Sequence, residues 1–164
     1  MFKKGEYVVH GRSGVCTVDS TTKEVPGAKA GQLYYILVPV KTPQSKIFFP
    51  LDSDRIVLRA LKTEEEAKAA LKEMKEVEIA EFSSDREREN EFKQDIASCE
   101  HKRLARVIKT LTVRNQEREK EGKRSTFVDA RLLNEAKELI NQEFSIALGI
   151  EMCDIESYIM EQIF

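Results

Sequence analysis

The chain has 164 residues and a mass of 18.8 kDa, and 41% of its residues are hydrophobic. This is enough for one domain of ordinary size or two small ones with a real core. Charged residues make up 34%, the net charge is -2, and no apolar run approaches the roughly 18 residues of a membrane span. The composition therefore excludes a transmembrane protein and a disordered tail. Because the first residues also lack an apolar signal segment, we expect a cytoplasmic protein with no membrane partner.

The sequence offers few residues for metal or thiol chemistry. Cys16, Cys99 and Cys153 are odd in number, far apart and without a CxxC spacing, which favours neither a disulfide framework nor a zinc site. His10 and His101 are the two histidines, and neither stands in an HExxH or similar motif. We therefore expect no metal ion and no cofactor.

Residues 1–60 have the pattern of short β-strands separated by turn residues. The apolar runs are EYVVH, GVCTVDS, LYYILVPV, KIFFPL and RIVLR. Five strands in sixty residues predict a small Tudor-like or SH3-like β-roll, a closure that hides most strand edges. Pro39 and Pro50 lie inside or at the end of apolar runs. Because proline cannot donate to a central ladder, we expect one exposed sheet edge.

From Thr63 onward the sequence has a helical period and contains no proline. Residues 61–164 are therefore predicted to form an all-α domain of about five helices, which makes the whole chain α+β. Thr63 with Glu66, and Ser84 with Glu87, are capping-box patterns that open the first two helices. Three further helices follow from apolar stripes at helical spacing, at Leu104 to Leu111, Leu132 to Phe144 and Ile155 to Ile163.

Charge is distributed unevenly along the chain. Residues 1–60 carry a formal charge of +4, residues 61–100 of -6, residues 101–124 of +6 and residues 125–164 of -6. The basic block in the third segment comprises Lys102, Arg103, Arg106, Lys109, Arg114, Arg118, Lys120, Lys123 and Arg124. Such a cluster is typical of a surface that binds a phosphate backbone. The same cations could equally pair with the acidic helices or stay solvated, and the pattern leaves both interpretations open.

No arrangement of residues predicts catalysis. The segment HGRSG is not the GxSxG nucleophile elbow, and the chain contains no Walker or dinucleotide fingerprint. Cys16 lies in a predicted strand, where a thiol is more often a core residue than a nucleophile. The abundant carboxylates lie on polar helix faces, where capping and the helix dipole explain them. We therefore expect neither an enzyme nor a small-molecule substrate.

The order of these segments resembles a known family. The opening MFKKGEYVVHGRSGVCTV, the strands YYILVPV and SKIFFPLD, and a helical half with VIKTL and RNQERE are similar to the CarD/CdnL family of bacterial transcription regulators. The resemblance covers nearly the whole chain. It implies that residues 1–60 form an RNA-polymerase-interacting domain that binds the polymerase β subunit. It also implies that residues 61–164 form a helical domain that touches promoter DNA, largely independently of sequence, at the upstream edge of the transcription bubble.

This resemblance places the polymerase contact on one strand, which comprises Ser45, Lys46, Ile47, Phe48 and Phe49. An exposed strand can pair with a strand of a partner through backbone hydrogen bonds. Because adjacent residues face opposite sides of a sheet, we expect one phenylalanine in the core and the other free for the partner. The alternative is that the rest of the chain covers both. The family tends to have an arginine near the position of Phe48, which this chain lacks.

For the DNA contact, the family uses a tryptophan wedge in the minor groove together with basic residues, and this chain has no tryptophan. The corresponding aromatic is Phe82, which either acts as an apolar wedge or packs between the domains. Arg86 and Arg88 cannot share one helix face, so one of them is expected to point at DNA, and Arg88 aligns better. Arg114 and Arg118 could instead brace the helices. The other phosphate candidates are Lys102, Arg103 and Arg106.

These expectations combine into a non-catalytic transcription factor that binds the RNA polymerase β subunit and promoter DNA. By preferring melted DNA it would stabilise the open complex. The alternative is a polymerase-bound adaptor whose acidic helical domain recruits another protein with little DNA contact. The first interpretation predicts a DNA affinity that falls steeply with salt, and the second predicts no DNA binding at physiological salt.

Overall fold

The computed structural model describes all residues from Met1 to Phe164 and contains five strands followed by five helices, so the predicted α+β class is confirmed. The strands are β1 (Tyr7–His10), β2 (Gly14–Thr22), β3 (Tyr34–Pro39), β4 (Ile47–Pro50) and β5 (Leu58–Ala60). The helices are α1 (Glu64–Lys75), α2 (Asp85–Ser98), α3 (His101–Lys120), α4 (Phe127–Leu148) and α5 (Met152–Ile163). The chain divides into two compact units, the β unit (Met1–Leu61) and the helical unit (Lys62–Phe164).

One antiparallel sheet with the strand order β4-β3-β2-β1-β5 forms the β unit. Side chains from one face of the sheet make a small core, which contains Val8, Cys16, Val18, Tyr35, Leu37 and Phe49. The terminal strands β4 and β5 each pair with a single neighbour. The sheet thus has two open edges, where the sequence predicted one. The second edge is β5, which is only three residues long.

A buried histidine organises the turn between β1 and β2. His10 is 4% exposed, and its Nδ1 atom accepts hydrogen bonds from the backbone N–H groups of Arg12 (3.4 Å) and Ser13 (3.2 Å). Burial, and secondarily the charge of Arg12, lower the pKa of His10, which favours the neutral ring that these bonds require. Burial also raises the pKa of Cys16 to about 11, so its thiol stays protonated. The HGRSG segment is therefore a structural turn.

Side chains cap the first two helices. At α1 both bonds of the predicted capping box are present, since the Glu66 N–H donates to Thr63 Oγ1 (3.2 Å) and the Thr63 N–H donates to Glu66 Oε2 (2.8 Å). At α2 the Glu87 N–H donates to Ser84 Oγ (3.1 Å), but the Glu87 carboxylate accepts from the N–H of Ser83 (2.8 Å). In the second helix the Glu87 carboxylate thus accepts from the residue before the cap, and not from the capping residue itself. Both helices begin where the sequence predicts.

All five helices contribute to a single core in the helical unit. The stripe predicted on α3 is buried, with Leu104, Val107, Ile108 and Leu111 each 3% exposed or less. Helix α4 ends at Gly149, whose φ of 66° is left-handed, and the N–H of Ile150 donates to the carbonyl of Ser145 (3.1 Å). This is the expected Schellman pattern. None of the five helices combines the length and apolar character of a membrane-spanning segment.

Candidate functional site

The outer edge of β4 has no neighbouring strand. The strand pairs with β3 in the register Tyr35 to Phe49 and Leu37 to Ile47, and the Leu51 N–H donates to the carbonyl of Leu33 one step further along. Hydrogen-bonded pairs alternate in an antiparallel ladder, so residues 47 and 49 bond to β3. The backbone groups of Phe48 consequently face the open edge. Pro50 falls at an edge-facing position as well, where its missing N–H removes no ladder bond.

The two phenylalanines of β4 lie on opposite faces, as strand alternation predicts. Phe49 is 4% exposed and packs in the core, with its ring centroid 5.7 Å from that of His10. Phe48 is 44% exposed on the other face. Of the remaining residues assigned to this contact, Ser45 and Lys46 are exposed and Ile47 is half-buried against the core. The strand therefore presents an unpaired backbone edge together with one exposed aromatic side chain.

Phe82 is packed within the helical unit. Its ring is half-buried and meets the ring of Phe92 edge to face, with 5.1 Å between centroids and an interplanar angle of 85°. The guanidinium of Arg106 lies 5.5 Å from the Phe82 centroid. The ring also lines a cavity of about 240 Å³ together with Arg88 and Arg114. Phe82 is thus packed against neighbours inside its own unit, and its role as a wedge in DNA stays a prediction.

Arg88 is buried, whereas Arg86 is exposed. Arg88 is 7% exposed, and its Nε atom donates to Asp129 Oδ1 at 3.1 Å. Arg114 donates from Nε to the other oxygen of the same carboxylate at 2.9 Å. Both guanidinium groups also approach Asp85, at 2.9 and 3.7 Å. The expectation that Arg88 is the outward residue is wrong, because the 1% exposed Asp129 carboxylate holds it between α2 and α4.

A second buried carboxylate, Asp95, holds the other two arginines assigned to phosphate binding. It is 1% exposed, and it accepts from Arg103 Nε at 2.8 Å and from Arg106 Nη1 at 3.2 Å. Arg106 also donates to the carboxylate of Glu91. These contacts join α2 to α3. Arg103 and Arg106 remain 40% and 32% exposed at their side chains, so they sit at the surface with their charges already balanced.

The two lysines of the basic block nearest α1 differ in exposure. Lys102 is 58% exposed at its side chain, and its Nζ atom lies 3.5 Å from the Glu73 carboxylate. Lys109 is buried, and its Nζ atom donates to the carbonyls of Lys75 (2.8 Å) and Val77 (2.7 Å) at the end of α1. Burial lowers the pKa of Lys109. Lys109 therefore stabilises a helix terminus, and Lys102 is the accessible cation of the pair.

Most of the basic block is therefore paired inside the helical unit, but two of its exposed members, Lys120 and Arg124, take part in no ion pair. Arg86, which precedes the block on α2, is also exposed and in no ion pair. The sequence interpretation missed the buried carboxylates Asp95 and Asp129. One signal was available for Asp95, because it continues the apolar spacing of Phe92 and Ile96 on α2. No group of three or more His, Cys, Asp or Glu residues is arranged to hold a metal ion.

Both units match known protein families. Residues 2–61 match the model of the CarD-like/TRCF RID domain, which agrees with the predicted Tudor-like fold of the β unit. Residues 66–160 match the model of the CarD C-terminal domain. A comparison with curated proteins gave no match. The two domain matches, in this order and over nearly the full length, show that the chain belongs to the CarD family of RNA-polymerase-interacting transcription regulators, a family that is not enzymatic.

Proposed function

We propose that this protein binds the polymerase β subunit through the edge of β4 and contacts promoter DNA at the upstream edge of the transcription bubble, so that it stabilises the open complex. It does so without catalysis, in the bacterial cytoplasm, where transcription takes place. The observation that carries the proposal is the unpaired edge of β4 within the polymerase-interacting domain. A strand of the β subunit would extend the sheet there.

Strand addition supplies affinity through backbone groups and specificity through alternate side chains. The edge-facing backbone groups of Phe48 would pair with the incoming strand. Phe48, which is 44% exposed, would add apolar contact on one face. Lys46 is exposed and supplies a cation beside it, so an acidic residue on the incoming strand would fit this position.

The test separates backbone pairing from side-chain contact at one position. Phe48→Pro removes the edge-facing N–H without removing a bond to β3, and Phe48→Ala removes only the ring. We expect Phe48→Pro to weaken capture of the polymerase β subunit at least tenfold, and Phe48→Ala to weaken it less. Tyr7→Ala is the matched control, because Tyr7 is 45% exposed on β1.

Capture of the β subunit by Phe48→Pro at wild-type affinity, with the sheet intact by circular dichroism, would contradict pairing at this edge. Equal losses in Phe48→Pro and Phe48→Ala would show that the ring, and not the backbone, makes the contact. Equal loss in Tyr7→Ala would point to a general loss of the folded β unit.

The DNA contact is proposed through exposed cations of the helical unit. Arg86 and Lys102 are the accessible members of the predicted set, with Arg103 and Arg106 at the surface beside them. A factor shifts an equilibrium only by its preference for one state. A preference for melted DNA of about 1.4 kcal/mol would therefore raise the ratio of open to closed complex tenfold.

A second candidate function is favoured by the internal pairing of the basic block. Asp95 and Asp129 together bind three arginines of this block and also Arg88. The helical unit would then act as an adaptor that recruits another protein and barely touches DNA. A mobility-shift titration with promoter DNA at increasing salt distinguishes the two. The DNA-binding function predicts an affinity that falls steeply with salt and is weaker in Arg86→Ala and Lys102→Ala.

Lys29→Ala is the control for this titration, because it removes one exposed charge from the β2–β3 loop of the other unit. Absence of any shift at physiological salt would support the adaptor and contradict the DNA contact. Equal losses in Lys29→Ala and Lys102→Ala would indicate a net-charge effect without a defined DNA surface.

A further inference from the structure

Phe127 is the most exposed aromatic residue of the chain, at 82%. It is the first residue of α4, directly after the capping residue Thr126. Its ring belongs to neither hydrophobic core and is not among the half-buried residues packed against them. Folding therefore does not account for an aromatic residue at this position. A single exposed apolar residue is ordinary by itself, so the significance of Phe127 depends on the charges around it.

The surroundings of Phe127 are held in place by the Asp129 carboxylate, which lies two residues further along α4. Arg88 of α2 and Arg114 of α3 both donate to it, at 3.1 and 2.9 Å. The same two arginines approach Asp85 at the start of α2. The first turns of α2 and α4 and the last part of α3 therefore meet at one end of the helical unit, which we call the basic tip.

The basic tip comprises Arg86, Lys120, Lys123, Arg124 and Phe127. The loop that joins α3 to α4 is tied down, since Arg118 Nε donates to the carbonyl of Arg124 (3.0 Å) and its own carbonyl accepts from the N–H of Lys123 (2.8 Å). Lys123 pairs with Glu121 at 3.1 Å. Arg86, Lys120 and Arg124 are exposed and in no ion pair, so the tip keeps cations that are free to bind an anion.

Unpaired cations next to an exposed aromatic ring are complementary to a ligand that has both several negative charges and planar rings. Unpaired nucleotides have both properties, because phosphates meet the cations and an unstacked base meets the ring. A paired duplex offers the phosphates but keeps its bases stacked. An acidic protein could meet the cations, but nothing in that chemistry calls for one isolated aromatic ring.

We propose that Phe127 stacks on an unpaired base of melted promoter DNA while the cations of the basic tip bind the adjoining phosphates. This inference rests on the proposed DNA contact and names the residue that would distinguish melted from paired DNA. It assigns the aromatic contact to Phe127 rather than to Phe82, whose ring is packed against Phe92 and the Arg106 guanidinium.

A tryptophan placed at position 127 reports directly on stacking. The chain has no tryptophan, so Phe127→Trp carries a single indole fluorophore. The probe is a synthetic duplex with a short mismatched bubble, compared with the fully paired duplex of the same length. We expect the bubble DNA to quench the emission of Phe127→Trp. Met152→Trp is the control at the start of α5, where Met152 is 54% exposed, and its emission should not change.

Affinity supplies an independent measurement on the full chain. Phe127→Ala removes the stacking contact with one base, so it should weaken binding to bubble DNA about tenfold and leave binding to the paired duplex unchanged. Arg124→Ala should weaken binding to both DNA forms, because a phosphate contact does not distinguish them. Phe127 has no packing role, so the alanine variant should fold normally.

The outcomes separate this inference from the proposed function. Wild-type protein that binds neither DNA at about 50 mM salt would overturn the DNA contact and the stacking role with it. Two other outcomes would overturn the stacking role alone. The first is that the wild-type protein binds bubble DNA no more tightly than Phe127→Ala does. The second is that saturating bubble DNA leaves the emission of Phe127→Trp unchanged.

Discussion

The candidate binding groups of the β unit are accessible to a partner, whereas most of the candidate cations of the helical unit are paired with groups of the same unit. On β4 the edge-facing backbone of Phe48 has no neighbouring strand and the ring is 44% exposed. In the helical unit, Asp95 and Asp129 hold the arginines that a charge count assigns to DNA. The difference shows that the backbone of a terminal strand is available to a partner because no further strand pairs with it. A cation is available to a partner only where no carboxylate of the same chain forms an ion pair with it.

This contrast has an energetic reason. A terminal strand satisfies half of its backbone groups with one neighbour and exposes the other half to water at little cost. A carboxylate that is buried without partners would cost several kcal/mol, so Asp95 and Asp129 each require cations. An acidic helical unit with buried carboxylates therefore uses part of its basic block for its own stability, and the remainder at the basic tip is left for a partner.

The largest expected effect comes from Asp129→Asn. The substitution leaves Arg88 buried beside a neutral amide, and breaking a buried ion pair in this way costs about 4 kcal/mol in the free energy of unfolding. Urea denaturation of the full chain, followed by helical circular dichroism, measures the loss. Asp154→Asn, at an exposed position in the first turn of α5, should change it by less than about 0.5 kcal/mol. A loss below about 1 kcal/mol in Asp129→Asn would show that these cations are not structural.

Phe49→Ala and Phe48→Ala test whether β4 separates an inner from an outer face. Phe49 is 4% exposed, and its truncation should cost about 3 kcal/mol because it empties part of a small core. Phe48→Ala should cost less than about 0.5 kcal/mol. Amide hydrogen exchange within the β unit of the full chain measures both. Similar losses in the two variants would contradict an outer face that is free for a partner.

Lys109→Met tests whether a buried cation of the basic block serves the fold. The substitution leaves the carbonyls of Met74, Lys75 and Val77 without their donor, and we expect the free energy of unfolding to fall by about 2 kcal/mol. Thermal denaturation measures the effect. Lys75→Met, at an exposed position on α1, is the matched control and should change little. An unchanged melting temperature in Lys109→Met would show that this lysine does not stabilise the fold.

The smallest expected effect is a pH dependence of the β unit due to His10. Burial lowers its pKa in the folded state, so the unfolded chain takes up a proton first as the pH falls below about 6.5. Stability is therefore full above that pH and declines as the pH drops toward the lowered folded pKa. Hydrogen exchange at pH 7 and pH 5 measures the decline. His10→Asn retains a side-chain acceptor for the turn and should lose the dependence, and a decline of equal size in this variant would assign it to carboxylates.

The local elements of this chain could be predicted closely from the sequence, for reasons that lie within a few residues of each. The capping residues Thr63, Ser84 and Thr126 mark helix starts because the side-chain oxygen of each accepts the N–H group three residues ahead. The opposite orientation of Phe48 and Phe49 follows from the pleat alone. The edge position of β4 was signalled by Pro50, which cannot donate to a second neighbour.

Which charges are accessible was decided only by the tertiary structure. Arg86 and Arg88 look alike in sequence, and the choice between them depends on Asp129, which lies 41 residues away from Arg88. Phe82 and Phe127 both appear in polar surroundings along the chain, but a ring contact with Phe92 covers the first and nothing covers the second. Periodicity and capping act between near neighbours, so the sequence by itself determines helices, strands and their inner faces. Ion pairing and ring packing act between segments that meet only after folding, and for that reason the basic tip and its exposed phenylalanine emerge from the structure alone.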